Sequence, residues 1–290
     1  MVMRRRVADF EGERARLLRI GYRMLGSLSE AEDVVQDAWL RFAAVEGEIE
    51  VAAAYLTRVV TRLCLDRLKS ARMRREAYVG PWLPEPLIGA VEPAEATADD
   101  VTLTLMLALE RLSPLERAAF LLHDIFDVPL REVAVVLGRE PASVRQLASR
   151  ARRHVQVARP RYSVDAAEGG RIARAFFEAT RDGDTAALSA LLAEEVEIHT
   201  DGGGHVRAFR NVVRGRDAIL RAYASFARKT SQAPVLLRMA AIDGLPGFVS
   251  RDGREVLQTT ALAIRDGRIA AIYIVRNPEK LGKVEAFTRP

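Results

Sequence analysis

Between Pro129 and Val157 the chain opens a helix, stops it at a glycine and opens another. Leu130, Val133, Ala134 and Leu137 fall at helical spacing after Pro129, Gly138 supplies the stop, and a new helix begins at Pro141. Two short helices joined by so tight a corner bury their apolar stripes against each other and against further helices, which is helix-turn-helix spacing. On the second helix Val144, Leu147, Ala148, Ala151 and Val155 occupy one arc, while Arg145, Gln146, Ser149, Arg150, Arg152 and Arg153 occupy the other. No acid occurs from residue 141 to 164. Such a face is either a solvated basic surface or a DNA-reading one; Arg, Gln and Ser opposite an apolar stripe are what base edges and phosphates require.

Charge elsewhere points the same way. The 44 basic and 39 acidic residues leave a net charge of +5, and up to residue 170 the two signs cancel. The distribution is uneven, however. Residues 62–75 carry Arg62, Arg67, Lys69, Arg72, Arg74 and Arg75 against Asp66 alone, and residues 139–161 hold a second basic cluster against Glu140. The segment between them is mainly acidic. Two basic patches of this kind suit a polyanion with two contact points, since counterion release rewards clustered charge.

The 290 residues suffice for roughly two domains of ~150 residues each. No stretch approaches the ~18 apolar residues of a membrane span, and the start lacks an apolar signal core, so a soluble cytoplasmic protein is expected. One cysteine, Cys64, excludes an intrachain disulfide, and neither a structural metal nor a cofactor is expected from it and the four histidines.

A helix is expected over 10–26, and Ser29 to Glu32 reads as a capping box opening a second. In that second helix Ala31, Val34, Val35, Ala38 and Phe42 form a buried stripe, and Glu30, Asp33 and Asp37 share another face. A long helix follows from about Ala52 to Tyr78, with Leu56, Val59, Val60, Leu63, Cys64 and Leu68 inward. Cys64 is then a small core residue. Pro81-Trp82-Leu83-Pro84-Glu85-Pro86 must be extended, because three prolines remove donors and fix φ. From there to Asp100 the composition is that of a linker, although Trp82 and Leu83 are apolar enough to dock. Helices are expected over 101–112 and 114–126, the latter capped by Ser113.

Beyond residue 165 the period changes. Helices are expected at Arg171–Arg181, from Asp184 to Leu192 and at Gly215–Lys229, and strands at Glu195–Thr200, Pro234–Ile242, Glu255–Ile264 and Arg268–Val275. Turns fall at Asp243-Gly244, Asp252-Gly253 and Asp266-Gly267. Helices followed by a curved antiparallel sheet predict an α+β cone.

The first half resembles the extracytoplasmic-function (ECF) branch of the sigma-70 transcription initiation factors. YRMLGSLSEAEDVVQDAWLRF and AAAYLTRVVTRLCLDRLKSARMRRE look like region 2, and LSPLERAAFLLHDIFDVPLREVAVVLGREPASVRQLASRARRHV looks like region 4. The resemblance implies that core RNA polymerase is gripped by the helix bearing Asp33, Gln36 and Asp37. It implies that the −10 promoter element is opened by the helix bearing Arg62, Arg67, Lys69, Arg72, Arg74 and Arg75. The −35 element would be read by Arg145, Gln146, Ser149 and Arg150, with Arg153 beside them. Melting aromatics are sparse, with only Tyr55 and Tyr78 on the long helix, so the base-capturing loop at about 44–54 gains no specific residue.

The remainder resembles the SnoaL-like, nuclear-transport-factor-like superfamily, whose members enclose an apolar pocket between sheet and helices. The combination is similar to ECF sigma factors with a fused SnoaL-like domain. The resemblance rests on Trp82-Leu83-Pro84-Glu85-Pro86, Asp201-Gly202-Gly203-Gly204 and Asn277-Pro278-Glu279-Lys280-Leu281. His205 stands where that group usually has Lys. The expected fold is therefore multidomain, with two all-α sigma domains followed by an α+β SnoaL-like cone. The expected bounds are 1–80 for region 2, 81–100 for the linker, 101–160 for region 4 and 166–290 for the cone. Trp82, Leu83, Pro84, Asp201, Gly202, Gly203, Asn277, Pro278, Lys280 and Leu281 are implied as a regulatory interdomain contact. The partners implied are core RNA polymerase, promoter DNA and a small-molecule ligand of unknown identity in the cone, with no membrane. Relatives of the cone include enzymes, which makes His199, Asp201, His205, Asp243 and Tyr273 acid-base candidates, although Asp201 and Asp243 read more simply as turn residues. The alternative is a sensor or enzyme domain fused to an ordinary DNA-binding regulator, for which acidic and basic helices in region 2 would have no use.

Overall fold

The protein, a computed structural model, is described over residues 2–76, 78–89, 103–158, 165–229 and 232–288. It divides into two compact units, Met1–Glu76 with Thr104–Arg159, and Ala77–Leu103 with Pro160–Pro290. The Pro-rich linker thus belongs to the C-terminal unit.

In the first unit α1 spans Val2–Leu25, α2 Leu28–Ala43 and α3 Ala52–Glu76. The cap of α2 differs from the expected Ser29 to Glu32 box. Gly26 ends α1 at φ 71°, and the chain re-enters a helix at once, with Ser27 Oγ accepting the Glu30 N–H at 3.2 Å. The stripe Ala31, Val34, Val35, Ala38 and Phe42 is buried as its spacing requires. It meets Leu56, Val60, Cys64 and Leu68 of α3, all buried, with Val59 and Leu63 half-buried. Burial pushes the Cys64 thiol up to about 12, with Arg67 opposing and Glu30 adding. We expect no alkylation of Cys64 by iodoacetamide at pH 8 in the folded chain and rapid alkylation in guanidinium, read by mass spectrometry.

Helix α4 spans Leu103–Glu110 and α5 Pro114–Phe120, the latter opened by a full capping box of Ser113 and Glu116. The expected continuation to residue 126 changes pitch into a π-helical turn, Leu121–Ile125. The corner is formed by α6, Leu130–Leu137, by Gly138 at φ 63° and by α7, Pro141–Ala158. Val133, Ala134 and Val136 are the buried residues of α6, so Val136 takes the place expected for Leu130 and Leu137. The two halves of this unit are tied by Arg117 of α5, which is 2% exposed. Its Nη1 donates to Met24 O at the end of α1 (2.7 Å), Nε and Nη2 donate to Leu109 O, and Nη2 pairs with Glu110 at 2.8 Å. Burial lowers its pKa to about 10.

In the second unit α8 (Ala166–Asp182) and α9 (Thr185–Leu191) are capped by Asp165 and Asp184. They are followed by β1 (Leu192–Asp201), β2 (Val213–Arg214), α10 (Arg216–Lys229), β3 (Val235–Ile242), β4 (Leu245–Arg251), β5 (Leu257–Arg265), β6 (Arg268–Val275) and α11 (Gly282–Thr288). The sheet order is β2-β1-β6-β5-β4-β3.

The expectation of an antiparallel sheet is corrected here. β1 pairs with β6 in parallel, Ile198 opposite Ile272 and Asp201 opposite Val275. Parallel neighbours need a long crossover, and all the chain between them supplies it. The sequence reading left β2 and β4 unassigned and began β5 too early: Glu255 lies at φ 62° in the turn, so the strand opens at Leu257. Phe176 and Phe177 of α8 and Ile219 of α10 pack onto Ile198, Phe248, Leu262 and Ile272 in one core cluster. Aromatic contacts run between helices and sheet, with the Phe177 and Phe248 rings 5.2 Å apart and Phe176 edge-on to Tyr223 at 5.8 Å.

Candidate nucleic-acid interface and linker clamp

Helix α7 divides as its sequence requires. Val144, Leu147, Ala148, Ala151 and Val155 are buried, and Arg145, Gln146, Ser149, Arg150 and Arg153 are exposed. The exposed bases are not equivalent. Arg150 Nε donates to Glu116 Oε1 at 2.9 Å, and Arg152 Nε to Asp124 Oδ1 at 2.5 Å. Burial alone would raise the Glu116 pKa, but hydrogen bonds from Arg150 and Ser113 outweigh it and the carboxyl lies below its usual range. Glu116 therefore caps α5 with one oxygen and orients Arg150 with the other. Sequence reasoning missed this carboxylate, which its helical spacing marks only as a cap.

The basic face of α3 is likewise partly engaged. Arg67 Nη1 donates to Glu30 O at 3.1 Å and approaches Asp33 at 3.5 Å, while its Nη2 is 3.7 Å from Asp37. The structure thus brings one expected DNA contact onto two expected polymerase contacts, as a tie between α3 and α2. Lys69 pairs with Asp66 at 2.9 Å, and Arg62 is exposed. Arg72, Arg74 and Arg75 continue α3, but their side chains lie outside the described residues. Gln36 lines a groove of about 460 Å³ between α1 and α2 with Phe10, Leu18, Val35 and Trp39.

The linker is held by Asp201, the last residue of β1 and fully buried. Its Oδ1 accepts from the Tyr78 hydroxyl (2.6 Å) and Gly203 N–H (3.0 Å), and its Oδ2 accepts from Leu83 N–H (2.9 Å) and Lys280 Nζ (2.7 Å). All of its acceptor capacity is used. Lys280 Nζ also donates to Leu83 O at 2.5 Å and sits 4.3 Å from the Trp82 ring centre and 5.2 Å from that of Tyr78. Asn277 donates from Nδ2 to the Tyr78 oxygen and accepts the Glu279 N–H, which starts a short 3-10 turn, Pro278–Lys280. Burial and the bond to Asp201 push the Tyr78 phenol up.

The glycines are required by contact. A Cβ at Gly202 would stand 2.2 Å from Val206 O, and one at Gly203, where φ is 63°, would stand 2.4 Å from the Asn277 side chain. Leu83, Pro84 and Leu281 are buried, whereas Pro278 is exposed and serves as the first residue of its turn. Of the sequence-derived set, Trp82, Leu83, Asp201, Gly203, Asn277 and Lys280 meet in one cluster. Tyr78, expected at the end of the long helix as one of its two sparse melting aromatics, lies outside α3, which ends at Glu76, and is the centre of this cluster.

Of the other acid-base candidates, His199 and Tyr273 stand side by side on β1 and β6. His199 Nε2 lies 3.1 Å from Glu197, which also accepts from Arg214, and the His199 ring is 5.1 Å from that of Tyr273. His205 is exposed and 3.3 Å from Glu279. Asp243 lies in a turn against the linker. Among the described residues no group of three His, Cys, Asp or Glu could hold a metal ion, and no helix is long and apolar enough to cross a membrane.

Comparison with known proteins agrees with this architecture. Residues 10–74 match Sigma-70 region 2, residues 102–155 Sigma-70 region 4, and residues 173–272 the SnoaL-like domain. The chain is 38% identical to the ECF RNA polymerase sigma factor SigJ of Mycobacterium tuberculosis, over 94% of this chain and 92% of the relative. It is 34% identical to the probable ECF RNA polymerase sigma factor SigI of the same species, over 96% of each. The crystal structure of M. tuberculosis SigJ superposes with a TM-score of 0.75 at 33% identity, covering 95% of this chain and 98% of that one. With two sigma regions in order, a gripped linker and this likeness along nearly its whole length, the chain belongs to the ECF branch of the sigma-70 factors that carry a C-terminal SnoaL-like domain.

Proposed function

We propose that this factor binds core RNA polymerase through α2 and the adjoining groove, engages the −10 element with α3 and reads the −35 element with α7. The C-terminal domain modulates it in cis by gripping the linker. The observation that carries the regulatory part is the Asp201 clamp: a buried carboxylate and a lysine hold Tyr78, Trp82 and Leu83 on the C-terminal unit. Intramolecular docking acts at an effective concentration of order mM, so even a modest interface biases where the linker lies. Gln36, exposed in its groove, is the part of the polymerase-facing set that stays free of Arg67. On α7 the exposed Arg145, Gln146, Ser149 and Arg153 are the base-edge and phosphate contacts, with Arg150 aimed by Glu116.

The C-terminal domain acts by binding and not by catalysis. Asp201 and Asp243 are committed to the linker, and His205 stands at the surface. A factor working on polymerase and chromosomal DNA acts in the cytoplasm.

The test is transcription in vitro with purified core polymerase and a promoter selected from a randomised DNA pool. We expect Asp201→Asn to change transcript yield several-fold while leaving binding of a −35 duplex unaltered; unchanged yield would count against cis modulation. Arg145→Ala should weaken that duplex by ~1–3 kcal/mol relative to scrambled DNA if the side chain reads a base. Equal loss on both DNAs, by fluorescence anisotropy, would place it on phosphate.

A further inference from the structure

The arginines on the outer side of α7 fall into two pairs. Arg145 and Arg153 have no ion-pair partner among the described residues, whereas Arg150 is held by Glu116 and Arg152 by Asp124. The two ties differ. Glu116 has its second oxygen engaged by Ser113. Asp124 Oδ2 is buried and has no hydrogen-bond partner among the described residues, so within that set Arg152 is what compensates the carboxylate.

Asp124 sits in the π-helical turn Leu121–Ile125, closed by the Phe126 N–H donating to Leu121 O at 3.0 Å and by His123 Nδ1 donating to Val128 O at 3.0 Å. Turns of this kind are rare and recur at functional sites. Here the turn sets a carboxylate that is 20% exposed beneath an arginine that is 43% exposed. By leaving, Arg152 would strand a largely buried charge that lacks another donor, which is harder than breaking a surface pair.

Arg152 stands at the far end of a row. Arg145, Ser149 and Arg152 follow one another at helical spacing, and Arg152 lies about three turns, or ~16 Å, beyond Pro141. A recognition helix reads base edges near its start, so a cation this far along is placed for phosphates. Phosphate contacts hold DNA of every sequence, and each adds about 0.9 to the salt slope.

We infer that Asp124 withholds Arg152 from the DNA backbone and so limits how tightly the factor holds DNA outside its promoters. The inference rests on the reading of α7 as the DNA-contacting helix. Carboxylate and phosphate compete for one guanidinium, and the carboxylate is built into the fold at 2.5 Å. Base reading by Arg145, Gln146 and Ser149 is untouched, since Asp124 is paired with Arg152 and not with them.

The experiment titrates the full chain onto a fluorescently labelled duplex of scrambled sequence, from about 50 to 200 mM salt. Asp124→Asn removes the charge and keeps the shape. We expect it to bind more tightly at the low-salt end and to steepen the slope of log affinity against log salt by about 0.9, the mark of one added phosphate contact, so that its affinity falls about 3.5-fold more than that of the wild type across the range. Adding Arg152→Gln should abolish the gain. Asp127→Asn alters net charge equally from an exposed position at φ 52°, which Asn tolerates, and should keep the wild-type slope. Circular dichroism checks that each variant is folded, and Asp124→Ser supplies the same charge removal should Asn disturb the turn. An unchanged slope in the folded Asp124 variants, or an equal gain in Asp127→Asn, overturns the inference. Arg145→Ala on the selected −35 duplex reports the parent reading separately. If it weakens that duplex while the Asp124 variants keep the wild-type slope, only the Asp124 inference fails; if neither changes anything, both fail.

Discussion

Asp201→Ala is expected to destabilise the C-terminal unit by about 3–5 kcal/mol, the cost of removing one member of a buried ion pair and leaving the other charge unmatched. Lys280 is 13% exposed at its side chain and Asp201 fully buried, so solvent cannot replace the lost partner. The same change strips the acceptor from the Tyr78 hydroxyl and the Leu83 amide. Two observables should move together. The Leu83 amide should lose its exchange protection, and Trp82 fluorescence should shift to the red as the indole is freed from Lys280. Trp39 is the second of the chain's two tryptophans and lies in the other unit, so a Trp39→Phe background isolates the signal. A loss under 1 kcal/mol, or a protected Leu83 amide, would show that Asp201 does not hold the linker.

Arg117→Ala should cost the first unit a similar amount, roughly 3–5 kcal/mol, for a different reason. The guanidinium is the donor to Leu109 O and Met24 O and the partner of Glu110, and its removal leaves buried acceptors unmatched at ~1–3 kcal/mol each. Urea unfolding followed at Trp39 should lose cooperativity as well as midpoint, because Met24 and Arg117 lie on opposite sides of the junction between the region 2 helices and the region 4 helices. Arg117→Lys should recover little, since an ammonium cannot reach two carbonyls and a carboxylate in the guanidinium's fork geometry. A single transition with an unchanged midpoint would mean the junction is held elsewhere.

The periodic parts of this chain were legible because a buried stripe is written directly into spacing. The stripes of α2 and α7, the stop at Gly138 and the caps at Ser113 and Asp184 were readable residue by residue. Family resemblance then named the Trp82 strip, the Asp201 loop and the Asn277 to Leu281 segment as partners. Sequence spacing carried no information on how they meet. That Tyr78 is the hub, that Arg67 ties Asp33 and Asp37, and that Glu116 aims Arg150 are all contacts between residues far apart in the chain.

The direction of β1 escaped for the same reason. Hairpin turns announce antiparallel neighbours locally, whereas a parallel pair closed by a long crossover leaves no local mark. The cap of α2 moved to Ser27 because Gly26 could take a left-handed conformation, a local choice that the Ser29 to Glu32 pattern concealed. Sequence by itself determined the helices, their apolar faces and the exposed basic side of α7, since each depends on residues within a turn or two. Tertiary structure alone decided which charges are spent inside the protein and that the linker belongs to the C-terminal unit. Those outcomes depend on which buried acceptors lie within hydrogen-bond reach once the chain has folded.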